Sequence, residues 1–273
     1  MKKKQKQWTK SVASQWGLFL PPARPSLSEL VIFQKYLLEL KSKEKNLKTA
    51  ILGSTPEFRD LCQTNNAEYR CIDYNRQNFD ALKQYLLHKD ADKNLIVSDW
   101  RKMEFEEKFD LFIGDLVTTV MPVSEHEKIF RNINSHSEEN ARVILKIPLR
   151  RNNEQQTHKK IFQHYRRNLS YMNPFAAVWH EVLLADYDFN EDTMRCQTSL
   201  KKLKESFDKG VITKYEFVEF KKRWDALGEF KMNIPLRKEY FRKLSRYFII
   251  EKVTSGTDSY KKWAPMLVLR VKL

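Results

Sequence analysis

Between Lys48 and Ile147 the chain alternates short apolar runs with stretches of helical periodicity, and this alternation restricts its fold more than any other feature. Thr49-Ala-Ile-Leu-Gly is an apolar run ended by glycine, and Phe58-Arg-Asp-Leu-Cys begins a helix after it. Tyr69-Arg-Cys-Ile-Asp reads as a second strand, Asn78–Leu87 as a second helix and Leu95-Ile-Val-Ser-Asp as a third strand. Phe109-Asp-Leu-Phe-Ile-Gly-Asp is a fourth strand, Glu125–Asn134 a helix, and Ala141-Arg-Val-Ile-Leu-Lys-Ile a fifth strand. Strands separated by helices pair in parallel through right-handed crossovers, with helices on both faces of the sheet. The expected fold class is therefore α/β: a doubly wound, Rossmann-like, mostly parallel sheet.

The flanks complete this frame. Before it, Pro21, Pro22 and Pro25 favour an extended segment. Ser26 or Ser28 can then cap an amphipathic helix carrying Leu30, Phe33, Leu37 and Leu40. After Pro148 the alternation stops. Residues 151–232 are polar and basic, with two helices expected to meet around Asp208-Lys-Gly. Leu236–Leu244 is a further helix, and Arg246–Val253 and Met266–Val271 form an antiparallel hairpin on the far edge of the sheet. The division expected is 1–45 as an N-terminal segment and helix on the substrate side, 46–150 as the nucleoside-binding core, 151–232 as a helical insertion, and 233–273 as the elements completing the sheet. At 273 residues and 41% hydrophobic content, one large core with an insertion is affordable.

Several classes are disfavoured. No apolar run approaches the roughly 18 residues of a membrane span, and mean hydropathy is −0.64. The basic start, Met1-Lys-Lys-Lys-Gln-Lys, is not followed by an apolar signal region, so the cytoplasm is expected. Cys62, Cys71 and Cys196 form no Cys-x-x-Cys pair, and the six histidines show no ligand spacing, so no metal is expected. The net charge of +15 is uneven: +5 over residues 1–150 and +10 over residues 151–273. A basic surface attracts polyanions, which keeps RNA open as a partner beside plain solubility.

The chemistry concentrates at the strand ends. A glycine closing the first strand lets the backbone pass close to a ligand. Ser54 and Thr55 are natural N-caps for the following helix, Pro56 suits its first position, and Glu57 complements its dipole. Asp73, twenty residues past Gly53, stands where an acid can accept hydrogen bonds from both ribose hydroxyls of a nucleoside. Ser98-Asp99-Trp100 and Gly114-Asp115-Leu116 end the third and fourth strands at the same edge. Such an acidic edge suits an amino group, hydroxyls and a sulfonium; it would repel a pyrophosphate, and no Gly-x-Gly-x-x-Gly is present.

With these pieces in order, the sequence resembles the class I S-adenosylmethionine-dependent methyltransferases, in particular a widespread bacterial group of uncertain substrate. The matching segments are Leu18-Phe-Leu-Pro-Pro-Ala-Arg-Pro-Ser, Leu52-Gly-Ser-Thr-Pro-Glu-Phe-Arg-Asp-Leu, Ile72-Asp-Tyr-Asn, Ser98-Asp-Trp and Phe109-Asp-Leu-Phe-Ile-Gly-Asp. The resemblance implies S-adenosylmethionine as cofactor. It places Gly53, Ser54, Thr55, Pro56 and Glu57 around the methionine moiety and Asp73 on the ribose. Asp99 would meet the adenine amino group, with Trp100 or Tyr74 packing on the base, and Gly114, Asp115 and Leu116 would line the methyl-transfer end. The loop departs from the family in carrying one glycine where two or three are usual.

Methyl transfer needs donor and acceptor held in line, and a base only where the acceptor must lose a proton. Asp115 and His126 are the candidates. The Pro-Pro-aromatic motif of amino-methylating nucleic-acid enzymes is absent after the fourth strand, as is a Pro-Cys nucleophile. The expected acceptor is a small molecule or peptide. An RNA acceptor and a catalytically silent S-adenosylmethionine-binding domain are the alternatives. Trp8, Trp16, Tyr171, Phe175 and Trp179 are the aromatics expected at a substrate lid.

Overall fold

The computed structural model describes residues 9–89 and 91–272; Trp8 and the lysine-rich start lie outside the described residues. A short helix α1 (Lys10–Ala13) precedes α2 (Leu27–Lys41). Ser26 and Glu29 start α2 with a reciprocal capping box: the Ser26 hydroxyl accepts the Glu29 N–H at 3.2 Å, and the Glu29 carboxylate accepts the Ser26 N–H at 2.9 Å.

The alternating region forms β1 (Lys48–Leu52), α3 (Pro56–Thr64), β2 (Glu68–Asp73), α4 (Arg76–Leu82), β3 (Leu95–Val97), β4 (Phe109–Asp115), α5 (His126–Ser135) and β5 (Ser137–Lys146). The next segment holds α6 (His158–Asn168), α7 (Pro174–Ala185), β6 (Met194–Arg195), α8 (Cys196–Asp208), α9 (Lys214–Leu227) and β7 (Lys231–Met232). α10 (Arg237–Leu244), β8 (Phe248–Thr254) and β9 (Met266–Val271) close the chain. The seven-stranded sheet runs β3-β2-β1-β4-β5-β9-β8, with parallel pairing from β3 to β5. β9 enters antiparallel to both β5 and β8, so the C-terminal hairpin docks with its second strand inward.

Side chains alternate across this sheet. Ile51, Ile113, Ile144 and Val268 pack with Phe33 and Leu37 of α2 and Phe58 of α3. Leu52, Phe112, Val143, Leu145 and Leu267 pack on the other face with Ile129 and Phe130 of α5 and Tyr240 of α10. A third cluster joins the helices of residues 158–227 to Val12, Trp16 and Phe19 of the N-terminal segment.

Two local expectations change. The second helix starts at Arg76, capped by the Asn75 side chain, and ends at Leu82 instead of Leu87. The Asp60 carboxylate takes the Leu87 N–H at 2.9 Å and the His88 N–H at 3.2 Å, which draws the chain out of helical hydrogen bonding. Residues 151–232 are not wholly helical: β6 and β7 pair antiparallel, two residues each, too short to leave a period in the sequence.

Lys146, at the end of β5, is fully buried. Its ammonium donates to the carbonyls of Pro22 and Arg24 at 3.0 and 3.1 Å and to Glu29 at 3.0 Å, and lies 2.9 Å from Asp115. Burial opposes its charge, but Asp115 and Glu29 hold its pKa above the usual lysine value. One side chain thus joins the proline-rich segment, the start of α2 and the end of β4. Replacing Lys146 with Met strands two buried carboxyl groups, and urea unfolding should report a loss of about 3–5 kcal/mol. A loss below about 1 kcal/mol would show that the ammonium is not the structural tie described.

Candidate functional site

A cavity of about 730 Å³ runs along the carboxyl ends of β1 to β4, the edge where doubly wound sheets bind ligands. Its volume falls within the roughly 300–1,000 Å³ of small-molecule sites. The floor comes from the loops after the strands: Gly53, Ser54 and Thr55 after β1, Asp73 and Tyr74 at β2, Ser98 to Arg101 after β3, and Asp115 to Val117 at β4. The opposite wall comes from Trp16 and Phe19 in the N-terminal segment, Phe175 and Trp179 on α7, Trp224 and Leu227 on α9, and Phe230 to Met232 around β7.

Gly53 takes φ +96°, a backbone conformation that an L side chain adopts only with strain. This turn frees the loop from the strand while the Gly53 N–H still donates to the Ile72 carbonyl at 2.9 Å. The Trp100 ring lies beside the turn, 3.6 Å from where a Gly53 Cβ would stand, and its indole N–H donates to the Ile72 carbonyl at 2.5 Å. Trp100 is thereby fixed between the first two strand ends.

Ser54 turns away from the helix it was expected to cap. Its hydroxyl donates to Asp73 at 2.8 Å, and the Asn75 N–H donates to the other Asp73 oxygen at 3.0 Å. Thr55 occupies the N-cap position of α3 without a side-chain capping bond, and Pro56 is at the first turn. Burial pushes the Asp73 carboxyl up to about 6, against the opposing hydrogen bonds from Ser54, Asn75 and Tyr74 and the charge of Arg59.

Asp99 is gripped by Arg101, whose guanidinium donates from Nε at 2.8 Å and from Nη2 at 2.5 Å. The same guanidinium reaches Glu125 at 2.5 Å. Asp115 is buried beside Lys146, whose ammonium lies 2.9 Å from Oδ1. Burial pushes the Asp115 carboxyl up to about 7, with Lys146 pulling it down and Glu29 adding to the rise. Leu116 follows in a left-handed conformation, φ +56°, and lines the cavity.

Four residues expected at the site stand elsewhere. Glu57 accepts the Trp16 indole N–H at 3.1 Å and pairs with Arg24 at 2.5 Å, so it holds the N-terminal segment down instead of facing the cavity. Pro56 does not line the cavity, and neither does Gly114. At Gly114 a Cβ would come within 2.5 Å of Val117 Cγ2 and 3.0 Å of Leu145 Cδ2, so that glycine serves close packing. His126 is fully buried outside the cavity wall, with Nε2 2.9 Å from the Thr118 carbonyl and 3.3 Å from the Met121 carbonyl. A ring nitrogen that donates to carbonyls cannot collect a proton from a substrate in the cavity. Among the lid aromatics, Tyr171 is 82% exposed and off the wall.

Reading the sequence missed Lys146, Glu29, Arg101, Trp224 and Phe230. Lys146 had a signal: a lysine inside the apolar run Val143-Ile-Leu-Lys-Ile is either a strand end or a buried charge with partners. Glu29 had another, the Ser-x-x-Glu spacing from Ser26.

His126 supplies a direct check. Burial lowers its pKa to about 4, more than its carbonyl partners raise it. An imidazole depressed in the folded state favours folding above its unfolded pKa, near 6.5, and that contribution is lost as pH falls through about 4. NMR of labelled histidine should show the His126 ring neutral from pH 8 down to about 5; a midpoint near 6.5 would contradict this placement.

No protein-family model matches the chain, and no curated protein does. Solved structures do. The CcbJ methyltransferase from Streptomyces caelestis is 8% identical, with TM-score 0.59 over 98% of this chain and 100% of its own. A Rhodobacter sphaeroides protein, provisionally named as a zinc-dependent alcohol dehydrogenase, is 17% identical with TM-score 0.57 over 97% and 100%. The PH0226 protein from Pyrococcus horikoshii OT3 is 14% identical with TM-score 0.51 over 94% and 99%. At these identities the likeness is one of fold. With the sheet order and the antiparallel β9, it shows that the chain has the Rossmann-like fold of the class I S-adenosylmethionine-dependent methyltransferases.

Proposed function

We propose that the chain is an S-adenosylmethionine-dependent methyltransferase acting on a small molecule. The observation that carries this reading is the cavity joining the acidic strand ends to an aromatic chamber, with Asp73, Asp99 and Asp115 in its wall. The residues present fit the cofactor. Gly53 gives the backbone a close approach, Asp73 offers carboxylate oxygens to ribose hydroxyls, and Trp100 and Tyr74 offer ring surface for adenine. The Ser98 and Asp99 loop, in the cavity lining, would border the base. Bound S-adenosylmethionine would supply an electrophilic methyl group on a cationic sulfur.

The chain's own contribution is positioning and electrostatics. Glu29 and Asp115 face a single ammonium at Lys146, so ionised Asp115 leaves this buried cluster one negative charge in excess. That excess favours a cationic ligand group beside Asp115. Asp115, in the cavity wall and with a pKa near neutrality, is the carboxyl group suited to receive a proton from an acceptor hydroxyl or amine. The N-terminal segment, tethered through Glu57 and Lys146, and the helices of residues 158–227 exclude water from the transfer.

Calorimetry with S-adenosylhomocysteine tests the assignment. The ionised Asp73 accepts the ribose hydroxyls, so affinity should rise as pH passes about 6 and be about tenfold weaker at pH 5 than at pH 8. Asp73→Asn should remove the rise near pH 6, leave the rise that Asp115 contributes near pH 7, and weaken binding at pH 8 by about tenfold or more. No binding by the unmutated protein, or an unchanged profile in the variant, would remove the assignment. Labelled S-adenosylmethionine with fractionated extract should then deliver label to the low-molecular-weight fraction; label in RNA would favour the basic surface as the acceptor's guide.

A further inference from the structure

Outside the cavity, α6 and the turn after it carry charge of one sign. No Asp or Glu occurs from Gln155 to His180. Ile161, Phe162 and Tyr165 bury the inner face of α6 in the cluster that holds Phe175 and Trp224. Lys159, Lys160, Gln163, His164, Arg166 and Arg167 are exposed. Lys160, Gln163 and Arg167, spaced by three and four residues, form one outward row. Arg166 is engaged: its guanidinium donates to Glu216 at 3.1 Å and to the Val211 carbonyl at 3.0 Å. Among the described residues, Lys159, Lys160 and Arg167 pair with no carboxylate. Lys159 and Lys160 stand in the first turn of α6, which holds no acid, so they oppose the positive end of the helix dipole. Helix stability therefore does not account for their placement, whereas an external anion does. Tyr171, just beyond the helix, is 82% exposed. Its turn is pinned on both sides of the ring. The Tyr165 hydroxyl donates to the Met172 carbonyl at 2.9 Å, and the Met172 N–H donates to the Leu169 carbonyl at 2.9 Å.

We propose that this face docks single-stranded RNA, with Lys159, Lys160 and Arg167 on phosphates and Tyr171 stacked on an unpaired base. The inference goes beyond the methyltransferase reading and does not depend on it. Cations that track a backbone beside an exposed aromatic ring are the two parts of a single-strand surface. A duplex offers the phosphates but keeps its bases stacked away from Tyr171. A membrane surface calls for apolar side chains that enter the lipid, and those of α6 face inward. Gln163, between Lys160 and Arg167, presents an amide donor and acceptor to a ribose 2′-hydroxyl, the group that separates RNA from DNA.

Fluorescence anisotropy of a labelled oligouridylate with the full chain should show saturable binding. Three phosphate contacts give a slope of about −2 for log affinity against log salt. Lys160→Gln with Arg167→Gln should weaken binding about tenfold or more and bring the slope to about −0.7. Lys238→Gln with Lys252→Gln removes the same charge from exposed positions on α10 and β8 and should change affinity by less than about twofold. An equal loss there would reduce the effect to diffuse attraction and overturn the proposal, as would no binding of oligouridylate. Tyr171→Ala should weaken binding roughly fivefold or more, and Tyr171→Phe should retain it; full affinity in the alanine variant would remove the stacking. Oligodeoxyuridylate, poly-glutamate and phosphatidylserine vesicles stand for the rival occupants. Each should bind more weakly than oligouridylate, and any that equals it overturns the assignment to RNA. S-adenosylhomocysteine affinity should be unchanged in every variant. Oligouridylate binding by a chain that does not bind S-adenosylhomocysteine overturns the cofactor assignment and keeps the RNA face.

Discussion

The Lys146 ammonium is the interaction on which the most distant parts of the molecule converge. It collects two backbone carbonyls of the proline-rich segment, the capping glutamate of α2 and the aspartate that ends β4. A buried charge is tolerated only with such a full set of partners. The arrangement is also unbalanced, since two carboxyl groups share one ammonium. The imbalance falls on Asp115, the member of the cluster that lines the cavity; burial raises its pKa, Lys146 opposes the rise and Glu29 adds to it. The same contact that secures the N-terminal cover therefore sets the electrostatics of the site.

Much of the frame was legible because it depends on local pattern. Apolar runs such as Ala50-Ile-Leu and Leu111-Phe-Ile can be buried on both faces only in the middle of a sheet, and their helical spacers dictate parallel pairing. Gly53 and Asp73 could be placed because a turn at positive φ and an acid one strand later are requirements of sequence distance. What was not legible depends on contacts between remote segments. Glu57 has the right position for a ligand-binding loop but is taken by Trp16 and Arg24, more than thirty residues away in sequence. His126 follows the fourth strand closely, yet its ring turns into the packing against Tyr240, at 5.7 Å between ring centres. Gly114 fits a ligand loop equally well in sequence and proves to be needed for the approach of Val117 and Leu145.

The polar contacts at the strand ends form a second level of order. Ser54 fastens the glycine turn to Asp73, and Trp100 fastens the third strand end to the second through the Ile72 carbonyl. Arg101 extends the chain of contacts to Glu125 at the start of α5. A site composed of separate loops is in this way held as one surface, which is what orientation of a ligand requires. Asp99 is part of that bracing, so its carboxylate is shaped by Arg101 before any ligand arrives.

The two ends of the cavity come from chain segments with separate hydrophobic clusters. The strand-end loops belong to the sheet, whereas the aromatic wall belongs to the helices of residues 158–227 together with Trp16 and Phe19. That wall packs in a cluster distinct from the two that flank the sheet, and the two regions meet at Leu82 of α4 and at Leu116 and Val120 after β4. Evolution can accordingly exchange the outer wall while inheriting the inner floor, and a designer can treat the segment between β5 and α10 as an exchangeable cassette. Within that cassette, selectivity can drift without eroding the machinery beneath it.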